Sequence, residues 1–235
     1  MRWGEGLFET MRAEGGRVPQ LERHLARLRA SATALGLAPM PSEEEMRAAL
    51  AAALAAHGPG PGRVRLTATP RPTLLVEVVP VDPLGDGPPS VSAVTVPGAW
   101  LPGNRMAEHK TLSYAAQRLS QRRAEAAGAD HALLLDRDGR LGEAAIASVF
   151  CAVGDEILTA AVDGLLPGIA RAIAIDAAGA AERAPEADEW RAAREIVVVN
   201  AVRGAEAVVS VDGAAAGRPG PLAEALHAAL RAALT

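Results

Sequence analysis

Lys110, inside the stretch EHKTLSY, is the only lysine among the 24 lysine and arginine residues of the chain. A primary amine does something a guanidinium cannot: with its pKa lowered it condenses with a carbonyl to form a Schiff base. Composition offers another reading, in which Lys110 is the last lysine left by drift in an arginine-rich chain. Two further stretches extend the carbonyl chemistry. Glu143 opens EAAIASVF just past the Asp138-Gly139 turn, where every second side chain of a strand faces one pocket. LPGIAR, residues 166–171, ends a loop at the first turn of a helix, where backbone N–H groups and the helix dipole favour a phosphate. An amine, a carboxylate to keep a pyridine nitrogen protonated and a phosphate cradle are together what pyridoxal phosphate requires. Taken alone, Glu143 also reads as a solvated carboxylate beside a hairpin, and many loops enter helices as LPGIAR does.

The elements that must position these groups are read from periodicity. WGEGLFETMRAEGGRVP has a strand-turn-strand pattern punctuated by Gly15-Gly16, and QLERHLARLRASATALGL follows with leucines at helical spacing. PSEEEMRAALAAALAAHG opens with Ser42 and Glu45 in a capping-box arrangement and stops at Gly58. GRVRLTATP and TLLVEVVPV alternate as strands. The Pro/Gly-dense residues 80–89 mark a linker, which divides a smaller N-terminal α/β domain, residues 1–85, from a larger C-terminal domain, residues 90–235. Beyond the linker the pattern predicts a strand at SVSAVTV, a helix over 111–127, and strands through HALLLDRDGRLGEAAIASVFCAV and DEILTA. A helix from GLLPGIARAIAIDAAGA, strands in EIVVVNAVRGAEAVVSVDG and a closing helix complete two α/β or α+β lobes.

Composition narrows the function classes. A chain of 235 residues with 49% hydrophobic content can bury a sizeable core. Its net charge of −4 offers no field for nucleic acid or an anionic membrane, so a small-molecule partner is expected. One cysteine, Cys151, no apolar leader and no apolar run of about 18 residues together place it in the cytoplasm as an expectation.

Six motifs occur in order over nearly the whole chain: GEGLFETMR, LERHLARLRASATALGL, HKTLSY, GADHALLLDRDGRLGEAAIASVF, GLLPGIAR and EIVVVNA. In them the chain resembles the class IV, branched-chain-type pyridoxal phosphate enzymes, which include branched-chain and D-amino-acid aminotransferases and 4-amino-4-deoxychorismate lyase. The resemblance implies a fold-type IV homodimer with pyridoxal 5'-phosphate in a cleft between two domains. It makes Lys110 the Schiff-base lysine, Glu143 the partner of the pyridine nitrogen and Arg27, in HLAR, a side-chain ligand of the phosphate. The rest of the cradle falls on the backbone amides of Ile169 and Ala170, and on Asn200-Ala201, with Ala201 where many relatives carry a hydroxyl.

Two features point within the family to the lyase. By resemblance the position of Thr10 carries threonine in the lyases, where a hydroxyl can relay a proton; read alone, Thr10 is also a β-branched residue suited to a strand. The Asn200-Ala201 pair likewise matches the lyases. The implied reaction turns 4-amino-4-deoxychorismate into 4-aminobenzoate and pyruvate, a step of folate biosynthesis. The alternatives are a class IV aminotransferase acting on D-amino or branched-chain amino acids with 2-oxoglutarate, and a non-catalytic relative that binds the cofactor. The chain departs from the pattern between RLTAT and PTLLV, where PR replaces a glycine-rich loop that carries an arginine. Arg65 and Arg71 remain as candidates for a substrate that bears carboxylate and amine groups, although each also reads as a surface residue. Only three residues precede GEG, so an exposed sheet edge is expected to favour the homodimer.

Overall fold

The computed structural model of the chain describes residues 4–70 and 73–235. They cluster into two compact units, one taking the chain up to Leu84 together with His109–Tyr114 and Ala233–Thr235, the other Gly85–Glu108 and Ala115–Ala232.

The first unit contains β1 (Leu7–Ala13), α1 (Leu21–Ala34), α2 (Glu43–His57), β2 (Gly62–Thr69) and β3 (Thr73–Pro80), its strands antiparallel in the order β1-β2-β3. Because strand side chains alternate, Leu7, Met11 and Ala13 of β1 share one face with Val64, Leu66 and Ala68 of β2. Leu25 and Leu28 of α1 and the i, i+4 row Met46, Leu50, Leu54 of α2 close a core on that face. Ser42 Oγ accepts the Glu45 N–H while the Glu45 carboxylate accepts the Ser42 N–H, so the capping box forms as the sequence predicts. The strand expected after Gly15-Gly16 shrinks to one bridge, Glu14 to Arg17, because Pro19 has no N–H to pair and α1 starts at Leu21.

Residues 109–114 belong with this unit because they pair with the start of β1. Phe8 N–H donates to the Lys110 carbonyl at 2.9 Å and Leu112 N–H to the Gly6 carbonyl at 2.9 Å. The close approach explains both glycines of GEG: a Cβ on Gly4 would lie 2.5 Å from Ser113 Oγ, and one on Gly6 2.7 Å from Leu112 Cδ1. The helix expected over 111–127 therefore begins later, at Ala115, since the residues before it are engaged with β1.

The second unit holds β4 (Ser90–Val96), a 3₁₀ turn at Arg105–Glu108, α3 (Ala115–Ala126), β5 (His131–Leu135), β6 (Leu141–Ala144), β7 (Ala147–Val153) and β8 (Glu156–Thr159). It continues through α4 (Ile169–Ala178), β9 (Ala181–Glu182), α5 (Ala187–Arg191), β10 (Glu195–Asn200), β11 (Gly204–Val211) and β12 (Ala214–Ala215) into α6 (Pro221–Leu234), whose last two residues cluster with the first unit. The sheet runs β10-β11-β4-β5-β6-β7-β8-β9, and an extra antiparallel pairing of β10 with β7 closes it on itself. Alternation sorts its two faces: Leu133 and Leu135 of β5 join a core with Val149, Cys151 and Val198, whereas Ala132 and Leu134 pack with Trp100, Ala124 and Leu165.

EAAIASVF is not one strand: Glu143 and Ala144 end β6, and a two-residue turn at Ala145-Ile146 leads into β7, with Glu143 opposite Ser148 and Ala144 opposite Ala147. No glycine or proline marks this turn, which is why periodicity passes over it. Among the described residues no helix is long and apolar enough to cross a membrane, and no cluster of three metal-ligating side chains occurs.

Candidate active site

In the first unit the register places Thr10 opposite Arg65 and Phe8 opposite Thr67, on the sheet face away from the helices. Phe8 is the hub of this face. The Arg65 guanidinium lies 3.8 Å above its ring centroid and the Lys110 Nζ 4.7 Å from the same centroid. Tyr114 meets Phe8 edge-on, with centroids 5.1 Å apart, and lies 5.5 Å from the Lys110 amine. Thus the structure brings Lys110, Arg65 and Thr10 to one patch. Burial pulls the Arg65 pKa below the usual arginine range, opposed by the charges of Glu77 and Tyr114. Among the described residues the Arg65 side chain makes no hydrogen bond or ion pair. A guanidinium held over an aromatic face by a cation–π contact leaves N–H donors for a carboxylate. Arg71 lies outside the described residues.

Sequence reasoning missed Phe8 and Tyr114. A signal existed for the second, since the only tyrosine of the chain stands four positions after the only lysine.

Arg27 takes a different environment in the same unit. Its Nε and Nη2 donate to the two oxygens of Glu9 at 2.9 and 2.6 Å, and His24 Nδ1 lies 2.8 Å from Glu9 Oε2. Glu9 points into the core face of β1 and is 1% exposed. Burial alone pushes its carboxyl up, but the His24 hydrogen bond and the charge and hydrogen bonds of Arg27 outweigh it and hold the pKa at about 2. Burial also lowers the pKa of His24, so a neutral imidazole donates to an ionised Glu9. The pair fixes the plane of the Arg27 guanidinium.

Because the folded pKa of Glu9 lies below the ordinary carboxyl value of 4.5, its contribution to stability is complete above pH 4.5 and is lost as pH falls toward about 2. We expect Glu9→Gln to lower unfolding free energy at pH 7 by on the order of 3 kcal/mol and to flatten its pH dependence in that acid window, measured by urea denaturation. An unchanged acid limb would show that the cluster does not hold Glu9 ionised.

The remaining candidates lie in the second unit, around Ser148. Glu143, half-buried on β6, faces Ser148 of β7 in register, and Ser148 faces Val199 of β10 on its other side. A Cβ on Gly168, the residue before α4, would sit 3.2 Å from Ser148 Oγ, so the start of α4 lies against the same strand. In contrast to α2, α4 has no side-chain cap at its N-terminus and no acidic residue in its first turn, which opens at Ile169 and Ala170. Amide donors without a capping side chain, together with the positive end of the helix dipole, fit a phosphate group.

Asn200 ends β10, and its carboxamide oxygen accepts the N–H groups of Val202 and Arg203 at 3.0 and 2.8 Å. Its side chain thus shapes the turn that carries Ala201, and Ala201 has only backbone groups to offer. Ser148, which joins the row of Glu143 to the start of α4, was not singled out by sequence; its pairing depends on the unmarked turn at Ala145-Ile146.

Known proteins resemble the chain in sequence and in structure. The family model described as amino-transferase class IV matches residues 6–211. A hypothetical aminotransferase from Mycobacterium tuberculosis, solved in a PLP-bound form, superimposes with a TM-score of 0.85 at 27% identity, covering 99% of this chain and 90% of that one. A fold IV transaminase from Curtobacterium pusillum gives a TM-score of 0.81 at 28% identity, with 99% and 84% covered. A structure named "Putative 4-amino-4-deoxychorismate lyase" gives 0.79 at 29% identity, with 99% and 91% covered. No curated protein matches the chain.

Proposed function

Since the chain belongs to the class IV aminotransferase family and is an enzyme that uses pyridoxal phosphate, we propose that it is a lyase that converts 4-amino-4-deoxychorismate into 4-aminobenzoate and pyruvate. The observation that carries this reading is the Phe8 patch, where the Arg65 guanidinium carbon lies 3.8 Å from the centroid of the ring that the Lys110 amine also approaches, and Thr10 stands opposite Arg65 in the strand register. It supplies a carboxylate anchor, an amine and a hydroxyl to one small substrate. A structure named as such a lyase at 29% identity supports the same reading.

When bound, pyridoxal phosphate supplies an aldehyde for covalent attachment and a ring that withdraws electrons. In our reading Lys110 holds that aldehyde and, once the substrate amine replaces it, serves as the base that takes the proton from the ring carbon bearing that amine. Glu143 keeps the pyridine nitrogen protonated, while Arg27, Ile169, Ala170 and Ala201 receive the phosphate. Asn200 shapes the turn beneath it. Arg65 orients a substrate carboxylate. Proton loss from the substrate ring and breakage of its C–O bond leave an aromatic product and enolpyruvate, which Thr10 helps to protonate to pyruvate. Aromatisation drives the elimination, so positioning is most of what the residues must provide.

Arg65→Ala is expected to lower kcat/KM for aminodeoxychorismate about tenfold to a hundredfold, the loss of one charged hydrogen bond. Thr10→Val should lower kcat more than it changes KM. If neither substitution alters lyase turnover, the substrate does not lie on the Phe8 patch.

Transamination is the second reading, favoured by the two aminotransferases among the structural neighbours. A direct comparison separates the two. Formation of 4-aminobenzoate plus pyruvate from aminodeoxychorismate should outpace amino transfer from D-alanine or L-leucine to 2-oxoglutarate. Faster amino transfer would make the enzyme an aminotransferase, and no turnover of any of the three would favour a cofactor-binding relative without activity.

A further inference from the structure

The second unit contains a cavity of about 620 Å³ that involves none of the residues assigned above. It lies at the far end of α4 from Ile169, and its apolar walls come from Ala152 on β7, Ile157 on β8, Ala178 on α4 and Leu222 on α6. The volume falls within the range of small-molecule sites. Two cations line it, Arg194 and Arg218. Arg194 Nη2 donates to the Gly154 carbonyl at 2.5 Å, which ties its side chain to the turn between β7 and β8. Arg218 is exposed and makes no hydrogen bond or ion pair among the described residues.

The one acidic group in the lining is already committed. The two Glu195 oxygens accept the N–H groups of Leu222 and Ala223 at 3.1 and 3.0 Å, at the first turn of α6, so this carboxylate answers the helix dipole. The segment that carries Arg218 is held by close packing against Arg194 and Glu195, where β10 begins. A Cβ on Gly217, which has φ +109°, would lie 2.8 Å from the Arg194 carbonyl, and one on Gly220 2.8 Å from the Glu195 carboxyl. Pro219 and Pro221 restrict φ on either side of Gly220. Arg218 is therefore presented from a preset backbone. With Glu195 occupied, the cavity offers a cationic rim over hydrocarbon walls; the rim favours an anion, and the walls disfavour one as strongly hydrated as inorganic phosphate.

We propose that this cavity is a second binding site, for a compact apolar carboxylate, whose charge is taken by Arg218 and Arg194 and whose hydrocarbon body lies on Ala152, Ile157, Ala178 and Leu222. Benzoate is a suitable probe, with neutral benzamide as its control, titrated calorimetrically into the full chain loaded with pyridoxal phosphate. Binding is expected in the millimolar range, as suits so small a ligand. Arg218→Ala should weaken it about tenfold, and Ala178→Phe, which fills the cavity from α4, should remove it. Arg65→Ala should leave it intact, which separates this site from the substrate site. Any of three results overturns the proposal: no benzoate binding up to about 20 mM, binding that survives Arg218→Ala and Ala178→Phe but is lost with Arg65→Ala, or benzamide binding as well as benzoate.

Discussion

Lys110→Ala is expected to yield a protein that folds normally, fails to show the long-wavelength absorbance of a covalently attached cofactor, and loses turnover by at least about a hundredfold to ten-thousandfold, the range for deleting a positioned acid–base group. The loss should be this large because two roles fall on one side chain, attachment and proton transfer, and no second lysine can replace it. The folded state should tolerate the change, since the contacts that anchor the segment use its backbone: Phe8 N–H bonds to the Lys110 carbonyl, and the Leu112 N–H bonds to Gly6. Circular dichroism and thermal melting on the same preparation check that point. Lys110→Arg gives a sharper version, because it keeps the positive charge near Phe8 and Tyr114 and removes only the capacity to attach. If the arginine variant kept activity, the charge rather than the amine would be the working feature.

Glu143→Ala is expected to separate attachment from catalysis. Attachment through Lys110 should persist, while turnover falls about 10²–10³-fold, the range for losing one preorganised electrostatic contact. Glu143→Gln should behave similarly, since an amide keeps the shape and lacks the charge. The position is half-buried at the end of β6, in register with Ser148 and Leu134, so truncation leaves the β6–β7 pairing in place. Unchanged turnover in both variants would return Glu143 to the role of a solvated carboxylate beside a hairpin.

What local sequence reveals, and what it conceals, follows from where each structural determinant lies. The second helix was legible because every signal for it sits within the helix or at its ends: the Ser42–Glu45 box, the spacing of Met46, Leu50 and Leu54, and Gly58. The break in EAAIASVF was not, because Ala145 and Ile146 turn the chain without a residue that announces a turn, and the pairing of Glu143 with Ser148 rather than either residue's propensity sets it. The attachment of residues 109–114 to the first unit was equally hidden. It depends on hydrogen bonds to β1, about a hundred positions earlier, and periodicity carries no information over that separation.

The candidate site divides along the same line. Lys110 was conspicuous by composition, and the first turn of α4 by a loop that runs into a helical pattern. Arg27 was identified by resemblance alone, and nothing local to HLAR indicates that Glu9 would hold it, because that contact needs α1 packed across β1. Phe8 read simply as an apolar strand residue. Its place beneath both Arg65 and Lys110 emerges only once the β1–β2 register and the path of residues 109–114 are known.

In our proposal the Lys110 amine alone carries the cofactor. Borohydride reduction of the pyridoxal phosphate-loaded protein, followed by proteolysis and mass spectrometry, tests it most directly, because the chain contains one lysine. Cofactor mass is expected on one peptide only, the one that contains HKTLSY, at one equivalent per chain. Label on any other peptide, or no label on a protein with cofactor bound, would contradict it.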